Sequence, residues 1–127
     1  MANISGTLDN DTVNTSSHSF GVSGNTTASQ DHVSMLGGDD YVDAGGGNDD
    51  IFGGDGDDYI AGGYGDDSLS GEANNDRIFG EEGNDRIWGG DGDDSLQGGY
   101  GDDIISGEAG DDRIWGGFGA DHPRDAA

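Results

Sequence analysis

The chain has 127 residues, with 28 glycines, 28 acidic side chains and only four basic ones, for a formal net charge of −24. With 29% hydrophobic residues a conventional two-layer core is not expected, and the lack of cysteine excludes disulfides and thiolate metal sites. Nucleic acid and anionic membrane surfaces are polyanions that would repel such a chain, which leaves cations as the partners its charge calls for.

The N-terminus, Met-Ala-Asn-Ile-Ser-Gly, has neither a basic n-region nor an apolar h-region, so no cleaved secretory signal is expected. No apolar run approaches the roughly 20 residues of a membrane span. Residues 1–25 are rich in Ser, Thr and Asn and carry one fragment of the pattern that follows, Gly6, Asp11 and Val13. They are expected to form an irregular N-terminal cap or a partly disordered segment. Asp11 lies twenty residues before Asp31, so about two residues break the register between Gly24 and Gln30.

From Asp31 onward an aspartate recurs every nine residues, at Asp40, Asp49, Asp58, Asp67, Asp76, Asp85, Asp94, Asp103, Asp112 and Asp121. Two residues after each stands an aliphatic side chain from Val33 to Ile114, so that one unit reads G-G-x-G-x-D-x-U-x, with U aliphatic. The clearest loops are GGDGDD at 53–58 and 89–94, GGYGDD at 62–67 and 98–103, and GGFGAD at 116–121. Glutamate takes the second position at Glu72, Glu81 and Glu108, and asparagine the fourth at Asn74. Asparagine tolerates a left-handed backbone better than other non-glycine residues, so position four is predicted to have φ > 0. Residues 53–88 and 89–124 match at most positions, which marks a duplicated block and a stacked array. Pro123 occupies the aliphatic slot, where the array is expected to end. The expected organisation is therefore a repeat domain over 26–124 and a short tail over 125–127.

Six glycine-rich residues followed by three such as Tyr-Ile-Ala read as a turn and a very short strand. A lone three-residue strand is unstable, so successive strands must stack at about 4.8 Å. If two nonapeptides complete one coil, alternate strands form two parallel sheets with the aliphatics between them; the periodicity alone does not fix the number per coil. Stacked carboxylates repel one another without a cation. Ca²⁺ takes six to eight oxygens at about 2.3–2.6 Å, and glycine lets carbonyls crowd toward it. An EF-hand is excluded, because its loop is twelve residues and the period here is nine. His18, His32 and His122 fall outside any zinc spacing.

On these motifs, residues 35–122 resemble the repeats-in-toxin (RTX, hemolysin-type) calcium-binding family. The resemblance implies an all-β right-handed parallel β-roll, a β-helix solenoid, with each Ca²⁺ between loops n and n+2. It implies ligation by the position-six carboxylates, Asp40 to Asp121 in the series above, and by glycine-turn carbonyls around Gly53, Gly54, Gly56, Gly62, Gly63, Gly65, Gly89, Gly90, Gly92, Gly98, Gly99 and Gly101. Pairing alternate loops gives about nine sites, or about six if the atypical first loops do not bind, and nine ions would reduce the charge to roughly −6. It further implies a module disordered at cytosolic calcium and folded at extracellular calcium, secreted by a type I route and carried by a larger host polypeptide. Strand edges at the ends of the roll also make end-to-end self-association an expectation.

No GxSxG elbow or comparable nucleophile arrangement occurs, so the chain is not expected to be an enzyme. The alternative reading is an adhesive or ligand-binding roll with an exposed aromatic face. Tyr41 and Tyr59 begin strands, Phe52, Phe79, Trp88 and Trp115 end them, and Tyr64, Tyr100 and Phe118 sit in loops. Arg77, Arg86 and Arg113 each directly follow a position-six aspartate and relieve charge on the roll surface.

Overall fold

The computed structural model describes residues 2–5, 12–14 and 30–125; expectations for Gly6, Asp11, His18, the rest of 1–29 and residues 126–127 lie outside these. The described residues form thirteen strands and no helix: β1 (Ala2–Ser5), β2 (Thr12–Asn14), β3 (Asp31–Ser34), β4 (Tyr41–Asp43), β5 (Asp50–Asp55), β6 (Tyr59–Tyr64), β7 (Ser68–Ala73), β8 (Arg77–Glu82), β9 (Arg86–Asp91), β10 (Ser95–Tyr100), β11 (Ile104–Ala109), β12 (Arg113–Phe118) and β13 (His122–Arg124). Odd-numbered strands make one seven-stranded sheet and even-numbered strands a six-stranded one, each in sequence order. Every pairing is parallel. Ile51 pairs with Leu69 and Leu69 with Ile87, a step of 18 residues, so two nonapeptides complete one coil.

This arrangement follows from the period-two geometry of a strand. Position eight points inward from both sheets while positions seven and nine point outward. The core is accordingly a double column, with Val33, Ile51, Leu69, Ile87 and Ile105 from one sheet against Val42, Ile60, Ile78 and Leu96 from the other, all buried. Ile114 is only partly buried, because β12 is the outermost strand of its sheet. Pro123 stands opposite Ile105 in β13, at the edge of the other sheet, a place where a residue without an N–H is tolerated.

Two details differ from the sequence expectation. The strands β5 to β12 run for six residues, not three. The ladder passes over the first glycine of the turn and then resumes: Phe52 pairs with Ser70, and Gly54 with Glu72. Loops stacked in register give the turn backbone partners one coil away, so hydrogen bonding continues around the corner. Tyr64, Tyr100 and Phe118 are thereby strand residues rather than loop residues. The second difference is the size of the register break. Ile4 pairs with Val33 and Val13 with Val42, steps of 29 residues, so the insertion before β3 is eleven residues beyond the regular 18. That is one whole nonapeptide plus the two visible in the spacing.

Candidate metal centre

The position-six aspartates from Asp31 to Asp103 all lie on the inner side of the turns, each 3% exposed or less. From Asp49 onward, one oxygen of each ties two coils together. The backbone N–H of Asp49 donates to Asp67 Oδ1 at 2.8 Å, that of Asp58 to Asp76 Oδ1 at 2.8 Å and that of Asp67 to Asp85 Oδ1 at 2.9 Å. The ladder begins with Asp31 and Asp40, which donate to Asp49 and Asp58, so the atypical MLGGDD loop joins the same stack. It continues to Asp112 and Asp121.

The second oxygen is different. Oδ2 of Asp49, Asp58, Asp67, Asp76, Asp85, Asp94, Asp103 and Asp112 is buried and accepts no hydrogen bond. Burying a carboxylate oxygen without a donor costs several kcal/mol in most settings, and here it recurs in every regular coil. From Asp58 to Asp112 each such oxygen turns toward the glycine at position one of its own loop, a place that Ala44 takes in the loop of Asp49. A Cβ on Gly53 would collide with Asp58 Oδ2 and lie 2.8 Å from the Gly71 carbonyl oxygen, which belongs to the loop one coil further on. The same cradle repeats at Gly62 with Asp67 and the Gly80 carbonyl, at Gly89 with Asp94 and the Gly107 carbonyl, and at Gly98 with Asp103 and the Gly116 carbonyl. Carboxylate oxygen from loop n and carbonyl oxygen from loop n+2 therefore face a common space.

The remaining turn glycines are required by backbone shape. Position four has φ of 130° at Gly65 and 84° at Asn74, as the asparagine suggests, and a Cβ on Gly65 would occupy the place of the Gly47 carbonyl oxygen. Position two is also left-handed, with φ of 103° at Gly54 and 80° at Glu72 and Glu81. The three glutamates conceal that requirement in the sequence. Gly56, Gly63, Gly90, Gly92, Gly99 and Gly101 repeat these two conformations.

Sequence reading also missed a second ladder at position five. Asn48 Oδ1 accepts from the Asp66 N–H at 3.0 Å, Asp66 Oδ1 from the Asn84 N–H at 2.8 Å, and Asn84 Oδ1 from the Asp102 N–H at 2.8 Å. Its direction is opposite to that of the position-six ladder, so each loop is held from both neighbours. The signal was present: position five is Asp or Asn in every unit from Asp39 to Asp111 and changes only at Ala120.

Burial pushes the inner carboxyls up. Asp76 rises to about 8, Asp67 and Asp85 to about 7, and Asp49, Asp58 and Asp94 to about 6. Desolvation is the main cause; the backbone N–H donated from one coil back opposes it, and repulsion from neighbouring aspartates, such as Asp58 and Asp94 around Asp76, adds to it. Among the described residues no three His, Cys, Asp or Glu side chains converge on one point. An ion held here must draw on backbone carbonyls as well as carboxylates. Oxygen-only donors, a recurrent buried Oδ2 lacking a donor and a carbonyl beside it fit a hard divalent cation such as Ca²⁺, and neither nitrogen nor sulfur competes.

A comparison with protein families matches the RTX calcium-binding nonapeptide repeat four times, at residues 36–60, 52–87, 61–96 and 88–123. Comparisons with curated proteins and with solved structures return no match. The repeat matches span 88 of the 127 residues, and the chain belongs to this family.

Proposed function

As a member of the RTX calcium-binding nonapeptide repeat family, the chain binds Ca²⁺, and we propose that this binding is what folds it. The ions would sit between loops n and n+2, held by Oδ2 of Asp40, Asp49, Asp58, Asp67, Asp76, Asp85, Asp94, Asp103, Asp112 and Asp121 and by carbonyls of the glycine turns, with six to nine ions per chain. The observation that carries the reading is the column of buried Oδ2 atoms, from Asp49 to Asp112, with no hydrogen-bond donor. Without a cation that column is a stack of desolvated like charges; with one it becomes the strongest tie between coils.

Such a module stays unfolded where calcium is scarce and folds where it is abundant. That behaviour suits export of an unfolded chain from a bacterium, with folding outside the cell, as part of a larger secreted polypeptide. The proposed role is structural, and the chain itself carries out no catalysis. The residues of 26–124 act as one repeat domain in this account.

Far-ultraviolet circular dichroism with isothermal titration tests the proposal. Removing metal with EDTA is expected to give a coil-like spectrum, and millimolar Ca²⁺ a β spectrum with uptake of six to nine ions. A β spectrum that persists in EDTA at pH 8 would overturn it.

A further inference from the structure

A groove of about 730 Å³ lies on the outer face of the even-numbered sheet, where the strands meet the turn residues Asp57, Asn75 and Asp93. Its floor holds Tyr59, Phe79 and Trp115, and Arg77 and Arg113 stand beside them. Two of the chain's four basic residues thus line one groove on a molecule of formal charge −24. Their placement follows from the register. Arg77 and Arg113 share position seven, Phe79 and Trp115 position nine, and in each row one strand lies between them, carrying Ser95 or Gln97. Two strand steps make the interval about 9.6 Å. Tyr59 stacks on Tyr41 at 4.9 Å and meets Phe79 at 5.2 Å, which extends the aromatic row along the roll axis. Trp115 is 52% exposed.

We propose that this groove binds an acidic saccharide, a linear sugar chain whose ring faces lie on Phe79 and Trp115 and whose carboxylates pair with Arg77 and Arg113. The aromatic rings offer flat apolar platforms to the C–H faces of sugar rings. Each guanidinium can take a carboxylate with two parallel hydrogen bonds. Asn75, with Asp57 and Asp93 along the rim, supplies donors and acceptors for hydroxyls. A peptide adding as a strand finds no purchase, because the groove lies on a sheet face whose backbone is already paired. A nucleic acid brings a phosphate at every nucleotide toward Asp57 and Asp93. A sugar chain with a carboxylate on alternate residues brings few charges, at intervals near the spacing of the two arginines. The inference rests on calcium loading, since Asp58 and Asp76 adjoin the groove and must be neutralised for an anion to approach.

The test is titration calorimetry of the full chain in millimolar calcium, with a hyaluronan hexasaccharide as acidic probe, chitohexaose as neutral probe and oligothymidylate as polyanion control. Circular dichroism is recorded in parallel. The hyaluronan probe is expected to bind, and Arg113→Gln and Trp115→Ala to weaken it at least tenfold. Arg86→Gln and Trp88→Ala, on the opposite sheet, should leave it within twofold. Equal binding of chitohexaose or oligothymidylate, or equal loss from the opposite-sheet variants, would overturn the assignment. A folded roll that binds no saccharide overturns the groove and leaves calcium-driven folding standing. A chain that stays unfolded in calcium overturns both.

Discussion

The middle of the carboxylate stack and its C-terminal end are built from the same nonapeptide but hold their charges differently. Asp76 is buried between Asp58 and Asp94, and its carboxyl is pushed up to about 8. Asp112 and Asp121 use Oδ1 in the same way yet are only half-buried, and Ile114 beside them is partly uncovered. The difference comes from neighbours on both sides against a neighbour on one. It teaches that the electrostatic cost of the buried carboxyls is set by position in the stack, highest at the centre, while the end has the freedom to fray.

The largest contrast should come from the turns. Gly65→Ala places a Cβ where the Gly47 carbonyl oxygen lies, at φ of 130°, and is expected to cost about 3 kcal/mol and to move the calcium midpoint more than tenfold. Gly119→Ala meets the Gly101 carbonyl in the same way, but at the outer coil the backbone can yield, and a cost below about 1 kcal/mol is expected. Calcium titrations followed by circular dichroism measure both. The ligand stack gives a smaller contrast: Asp67→Ala should raise the calcium midpoint several-fold more than Asp121→Ala, because in the proposed ligation an interior carboxylate would serve the ions on both sides. Equal shifts would favour isolated sites over a shared ladder.

The metal-free chain should show the same gradient through pH. The folded-state carboxyls are raised above the ordinary aspartate value, so the apo roll binds more protons than the unfolded chain, and stability falls as pH rises. Its contribution is fully present below about pH 4 and is lost as pH climbs through about 6 at Asp49 and about 8 at Asp76. In EDTA, the β signal should therefore be greater at pH 4 than at pH 8, whereas saturating calcium should remove this trend. The smallest effect concerns backbone shape alone. Glu81→Gly relieves a left-handed non-glycine residue and should stabilise the calcium-bound roll by up to about 1 kcal/mol in thermal melts.

Much of this was legible in the sequence, because a repeat states its rule many times. Nine of the ten aliphatics from Val33 to Ile114 are buried, and the aspartates from Asp31 to Asp103 all line the inner turn. Alternation between two sheets was legible only as a condition; the 18-residue register settles it. What stayed hidden depended on contacts between coils. Glu72, Glu81 and Glu108 disguised the left-handed shape of position two, since a non-glycine residue argues against φ > 0 unless stacking imposes it. The Asp66 and Asn84 ladder was overlooked because exposed acidic side chains ordinarily signify a solvated surface. The extent of the strands around the corner at Gly53 could not be read from residue types at all, since it arises from the carbonyls and N–H groups of the loop one coil away.

Small-angle scattering at neutral pH in EDTA, in calcium and in magnesium tests the central claim most directly. Calcium is predicted to collapse an expanded chain, with a radius of gyration of about 37 Å, toward the about 14 Å of a compact domain of this length, or slightly more for a rod. Magnesium, which demands tight octahedral geometry and keeps its waters, should leave the chain expanded. The same compact radius in all three solutions would contradict calcium as the agent that folds the roll.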